Sequence, residues 1–258
     1  MRVPLSWLSE YVDVELTPEQ LAERLTLLGM EVSTIERIGA DWQRIVVGEL
    51  LEVAPHPNSQ KLSLTRVRTG EDETEYSIVC GATNIEAGQR VPVALPGSVL
   101  PGDRRIDITT IAGTESQGML CSGDELGLTA DADGILILPE ESALGQDMAE
   151  MAGDVVLDID VKPNRGDALS ILGLAREVAA ATGARLRWPD LSVEESGEAI
   201  SDPLRVGVAE LELCPVFVGR VLGGVSGEGS PWDVRKRLIA AGGRPSANGV
   251  GAASYVVL

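Results

Sequence analysis

Apolar and polar positions follow one rhythm at the two ends of this chain and another in the middle, with changes near residues 40 and 152. Near the start the spacing is helical. Leu21, Leu25 and Leu28 recur at i, i+4 and i+7, which predicts one buried stripe. Thr17-Pro18-Glu19-Gln20 just before it has the form of a capping box with proline at the first helical position, where its missing N–H is no loss. Gly29 suits the C-cap, and Met30 to Ile38 is an expected strand.

From about residue 40 the texture becomes short β-like runs between Gly and Pro turns. The runs are Ile45 to Val53, Leu62 to Arg68, Tyr76 to Cys80, Val91 to Leu95, Ile106 to Ile111 and Ile135 to Leu138. Such spacing predicts a small barrel. Leu62 and Leu64 share one face while Val67 falls on the other, so a bulge or bend is expected within that strand. Pro96-Gly97 and Pro101-Gly102 are expected to bracket a tight loop, with Asp133-Gly134 as a further turn.

After about residue 152 the first texture returns. Val155, Leu157, Ile159 and Val161 alternate with Val156, Asp158 and Asp160, as in a half-buried strand. A helix follows, starting near Asp167 or Ser170, presenting Ile171, Leu174, Ala175 and Val178, and stopping at Gly183. The acidic stretch from Asp190 to Pro203 reads as a linker. Leu204 to Val208 and Val216 to Val221 are expected strands, and Ser230-Pro231-Trp232-Asp233 an acidic capping box ahead of a helix carrying Val234, Leu238 and Ala241. The remainder is short for a sheet-based domain, so the third unit is expected to be cut. The fold class is therefore α+β: a discontinuous domain at 1–39 and 152–190, a barrel inserted at 40–151, a linker at 191–203, and the truncated start of a further α/β domain at 204–258.

Composition narrows the functional classes. At 258 residues and 44% apolar content the chain can bury one large core or several smaller ones. The opening residues lack the run of a secretory signal, and no stretch is long enough to span a bilayer, which predicts a cytoplasmic protein without membrane contact. Cys80, Cys121 and Cys214 form no CxxC pair and read as buried reduced thiols. A single histidine, His56, leaves little room for triad or multi-histidine metal chemistry. The net charge of −19 opposes broad polyanion binding, so any nucleic-acid contact must be a local patch or lean on a partner's cations.

Pro55-His56-Pro57-Asn58-Ser59-Gln60-Lys61-Leu62 joins two expected strands, with both prolines and Asn58 shaping the loop. Lys61 there either meets a phosphate backbone or is a solvated lysine on a well-made turn. The available cations of the barrel are Arg44, Lys61, Arg66, Arg68, Arg90, Arg104 and Arg105. Arg66 and Arg68 are two apart and share a face on a regular strand, so they could form a stripe with Arg104-Arg105. Only Trp42 and Tyr76 are aromatic in this segment, which leaves base stacking little support.

These residues carry a resemblance. Pro55 to Leu62 is similar to the HPNAxKL signature of the OB-fold tRNA-binding module of several synthetases, with Ser59 and Gln60 in place of the usual Ala-Asp or similar pair. Ile78 to Asn84, Val91 to Gly97 and Gly113 to Ser122 resemble its further blocks, in order. Lys162-Pro163-Asn164-Arg165-Gly166-Asp167-Ala168-Leu169-Ser170 with Gly173 to Gly183, and Ser6-Trp7-Leu8 with Leu27 to Val32, resemble bacterial phenylalanyl-tRNA synthetase β subunits. Arg165 itself either reaches a phosphate or pairs with Asp158 or Asp160. The likeness weakens over Arg244 to Asn248 and Ala253 to Val256.

The resemblance implies an α2β2 ligase that charges tRNA(Phe) with phenylalanine using ATP and Mg²⁺ in its α subunit. The β subunit supplies tRNA binding, assembly and, in a domain beginning near residue 204, editing. This chain is then a non-catalytic tRNA-binding and assembly portion that binds no cofactor, with Asn58, Lys61, Arg66, Arg68, Arg90, Arg104 and Arg105 as candidate tRNA contacts. The alternative is a free-standing tRNA-binding or protein-assembly module.

Overall fold

The computed structural model describes residues 1–70, 74–129, 134–194, 206–222, 224, 229–244 and 248–258. It begins with β1 (Arg2–Pro4), α1 (Leu5–Tyr11), α2 (Pro18–Leu27) and β2 (Glu31–Ile38). Thr17 Oγ1 accepts the N–H of Gln20 at 3.3 Å while Gln20 Oε1 accepts that of Thr17 at 3.0 Å, so the capping box starts α2 as expected. Leu21 and Leu25 are buried, but Leu28 is 42% exposed. The helix ends one residue before it, and Met30 joins the core instead once Gly29 (φ 86°) has turned the chain.

The chain comes back to this unit after residue 150. β11 (Asp154–Asp160) lies antiparallel between β1 and β2, with Val3 opposite Leu157 and Ile35 opposite the same residue. α4 (Ile171–Thr182) packs Leu174 and Val178 against Trp7, Leu8, Leu21 and Leu157 in one core. Each such side chain contributes about 1.5–3 kcal/mol on full burial. Ser170, rather than Asp167, caps α4 by accepting the Gly173 N–H at 2.9 Å, and Gly183 (φ 75°) closes it. Gly173 is required by packing, because a Cβ there would fall 2.1 Å from the Asp167 carbonyl oxygen.

Between the two visits the chain builds β3 (Gln43–Pro55), β4 (Ser63–Arg68), β5 (Glu75–Cys80), β6 (Arg90–Leu100), β7 (Arg104–Ile106) and β10 (Met119–Leu120). They form a curled antiparallel half-barrel in the order β10-β6-β3-β4-β5, with β7 on β6. A short hairpin, β8 (Thr109–Ile111) and β9 (Thr114–Ser116), lies beside β5. Inward residues such as Leu50, Val67, Ile78, Val91 and Val93 fill the barrel. β5 and β10 form no ladder with each other. Gln117 bridges part of that gap by donating its N–H to Ser77 O at 2.8 Å, and Ser116 Oγ accepts the Val79 N–H at 3.1 Å. α3 (Met148–Ala152), capped by Asp147, leads back to β11.

Several sequence expectations change here. The bulge lies in β3, at Leu51, and not in β4, which alternates regularly with Thr65 and Val67 inside. Thr65 can be buried because its hydroxyl donates to Ile78 O at 2.8 Å. Pro96-Gly97 is no turn: it sits in the long irregularity where β6 leaves β3 and takes up β7. Ile106 to Ile111 splits between β7 and β8, and Ile135 to Leu138 makes only the bridge of Leu138 to Arg90.

The third unit differs most. Neither 206–208 nor Val216 to Val221 is a strand, and Val216, Phe217 and Val218 are 61–77% exposed. A strand needs a paired edge, and no described strand pairs with these residues. α5 (Trp232–Ala240) has Pro231 as its N-cap with no side-chain cap bond, so the Ser230 box does not start it. α6 (Asn248–Val257) is a helix that the glycine- and alanine-rich sequence did not announce. Tyr255 on α6 stacks on Trp7 at 4.6 Å between ring centroids, and Arg237 of α5 donates to its hydroxyl at 2.7 Å. Asp133, 195–205 and 245–247, which figure in the expectations above, lie outside the described residues. No described helix is long and apolar enough to cross a membrane.

Candidate nucleic-acid interface

Pro55 pairs with Ser63, so residues 56–62 form the closed loop between β3 and β4. His56 donates its N–H to Leu62 O at 3.0 Å, Ser59 donates to His56 O at 3.3 Å, and Ser59 Oγ accepts the Lys61 N–H at 3.3 Å. Asn58 donates its side-chain amide to Ala112 O at 3.1 Å in the β8–β9 turn, so this candidate ties the loop to the hairpin. The loop is thus ordered by its own bonds before any ligand meets it. Lys61 is exposed on it, with no acid partner among the described residues.

The arginine stripe is a ladder of ion pairs. Arg66 and Arg68 do share the outer face of β4, but cross-strand register brings acids to them. Arg66 lies 3.5 Å from Glu52 and 3.4 Å from Glu75. Glu49 stands between Arg68 at 2.5 Å and Arg90 at 3.0 Å. The Arg68 hydrogen bond, with Arg90 beside it, holds the Glu49 carboxyl below the usual carboxylate range against the opposing effect of burial. Arg104 pairs with Glu125 at 3.2 Å. Arg105 is exposed and, like Lys61, has no acid partner among the described residues. Alternation along one strand could not reveal this, because the acids sit on neighbouring strands. Nineteen acids against seven Lys and Arg at 40–151 made such pairing the informative clue.

A cleft of about 800 Å³ opens where β5 and β10 fail to pair. Leu62, Val79, Asn84, Met119 and Ile135 line it, and the Arg104–Glu125 pair stands on its wall. Three of the four sequence blocks of the barrel therefore meet at one place. Asn84 fastens the far wall by donating to Ile135 O and accepting its N–H, both at 2.9 Å. Lys61 and Arg105 are chain neighbours of the lining residues Leu62 and Arg104. No described group of three or more His, Cys, Asp or Glu could hold a metal ion.

Arg165 takes neither Asp158 nor Asp160. Its guanidinium bonds Asp167 at 2.9 Å and Glu177 at 2.7 Å, because the turn at 163–166 carries it over α4 and away from β11. Asp158 instead meets the N-terminal ammonium at 3.3 Å and Asp160 meets Lys162.

Residues 45–147 match the family described as "Putative tRNA binding domain". The whole chain aligns with phenylalanine–tRNA ligase beta subunits of Anaeromyxobacter dehalogenans and Nitratidesulfovibrio vulgaris at 45% identity, and of Syntrophus aciditrophicus at 42%. In each case it spans 32% of the relative, about a third of its length. The crystal structure of a MetRS related protein from Pyrococcus horikoshii aligns with 40% of this chain and 86% of that one, at 22% identity and a TM-score of 0.29. Along its whole length, then, the chain is similar to about a third of phenylalanine–tRNA ligase beta subunits, and within it residues 45–147 match the tRNA-binding family.

Proposed function

We propose that this chain is the tRNA-binding and assembly portion of a phenylalanine–tRNA ligase beta subunit, acting in the cytoplasm on tRNA(Phe) beside an alpha subunit in an α2β2 assembly. The observation that carries the tRNA part is the self-ordered 56–62 loop, which holds Lys61 exposed beside the barrel cleft with no acid partner among the described residues. In this reading ATP and Mg²⁺ serve the alpha subunit, and this chain supplies no catalytic group. The units are an α+β domain at 1–39 and 152–190, an OB-fold barrel at 40–151, and a third unit of the editing type at 204–258. The return of β11 between β1 and β2 supports the inserted layout.

Of the seven candidate contacts, Lys61 and Arg105 are the ones we assign to phosphate. Arg66, Arg68, Arg90 and Arg104 are neutralised by their own acids, and Asn58 orders the loop. The test is anisotropy of labelled tRNA titrated with the chain over a salt series, for the wild type and for Lys61→Glu with Arg105→Glu. Two lost phosphate contacts lower the slope of log Kd against log salt by roughly 2. Unchanged binding in the double variant sinks the assignment, and no salt-sensitive wild-type complex sinks the tRNA reading. The excess of acids over cations in the barrel favours a second reading, a protein-assembly module. Co-purification of the alpha subunit without any tRNA affinity is its signature.

A further inference from the structure

His56 is the chain's one histidine and is 4% exposed. Its Nδ1 accepts the backbone N–H of Asn58 at 3.1 Å. Its Nε2 is buried without a partner among the described residues. An imidazole that accepts at Nδ1 carries its proton on Nε2, so this one contact defines a neutral ring and one tautomer. Asn58 carries the restraint outward, since its side-chain amide holds Ala112 O. Lys61 closes the same loop three residues later.

We propose that neutral His56 is a positioning residue: by accepting the Asn58 N–H it holds the 56–62 loop in the shape that presents Lys61 to a phosphate. This rests on the tRNA reading above. Two observations favour positioning over simple filling of the core. The ring nitrogen that has a partner is the one facing the loop, and the other is stranded, a cost that an apolar side chain of similar size would avoid. Without the Nδ1 acceptor the Asn58 N–H is released and the clamp on Ala112 loosens. The loop must then be ordered at the moment of binding, which weakens affinity.

The single histidine makes the first measurement unambiguous. Long-range ¹H–¹⁵N spectra of the labelled chain show a protonated Nε2 and a bare Nδ1; a protonated Nδ1 overturns the proposal. Three variants supply the second. His56→Asn places a carbonyl oxygen near the Nδ1 position and keeps the acceptor, whereas His56→Gln and His56→Leu do not. The expected tRNA affinity of His56→Asn lies within twofold of wild type, while the other two lose roughly 3- to 10-fold, the range for one hydrogen bond. In a Lys61→Ala background that difference disappears, which a merely structural role would not produce. Equal affinity for His56→Leu and wild type, or equal loss for His56→Asn and His56→Leu, overturns the positioning role. If the wild type forms no salt-sensitive tRNA complex, the tRNA reading fails with it. If the complex forms and all three variants keep it, only the role of His56 falls.

Discussion

Replacing Glu49 with Gln tests whether the barrel's arginines are held back by its acids. The carboxylate joins Arg68 at 2.5 Å and Arg90 at 3.0 Å, and the side chains of Glu49, Arg68 and Arg90 are 20%, 34% and 20% exposed. A hydrogen bond to a charged group is worth about 1.5–3 kcal/mol when buried, and an exposed ion pair under about 1 kcal/mol. At a fifth to a third exposed, the two contacts together should contribute about 1–3 kcal/mol. That corresponds to a fall in Tm of about 2–10 °C for a chain of this size, read by calorimetry, with faster amide exchange along β3 and β4. The same change frees two guanidiniums, so tRNA affinity at low salt rises and its salt dependence steepens by up to about 2. The pH dependence has a definite sign. Because the folded state lowers the Glu49 pKa, its stabilisation is complete above the ordinary value near 4.5 and is lost as pH falls through the folded value. Wild-type stability therefore drops more steeply below about pH 4.5 than that of Glu49→Gln. An unchanged Tm together with an unchanged salt slope would refute the reasoning, since the pairs would then be solvated decoration.

Two further outcomes follow from burial. Gly173→Ala places a methyl 2.1 Å from the Asp167 carbonyl oxygen and should lower stability by about 1–3 kcal/mol, seen as an earlier denaturation midpoint. A wild-type midpoint would mean that the 166–168 turn gives way freely. Burial, with Glu125 adding to it, pushes the Cys121 thiol up to about 12, and burial also raises Cys80, whereas Cys214 is only half-buried. A disulfide reagent at pH 8 should therefore titrate one thiol quickly and the other two only in denaturant; fast reaction of Cys121 in the folded chain contradicts its placement.

Much was legible wherever a feature depends on residues within a few positions of each other. The Thr17 box, the Gly183 stop and the buried pair Leu21 and Leu25 are of this kind, because caps and one-face spacing are settled by the local backbone. Asp167 or Ser170 could each have capped α4, and the choice of Ser170 needed only the path of one turn. At the site, the closed 56–62 loop and an exposed Lys61 could be read from the prolines and Asn58.

What sequence alone determined about this protein is thus its local grammar and, through its motif blocks, its kinship. Only the tertiary structure decided which cations are free. Arg66, Arg68, Arg90 and Lys61 look alike in sequence, but cross-strand register sets Glu52, Glu75 and Glu49 against the first three and, among the described residues, no acid against the last. It decided that the apolar run at 216–221 is no strand, since strand formation depends on a partner edge. It also turned His56 toward Asn58. Each of these outcomes rests on contacts whose geometry local periodicity does not encode: register, edge pairing and the direction of one buried ring.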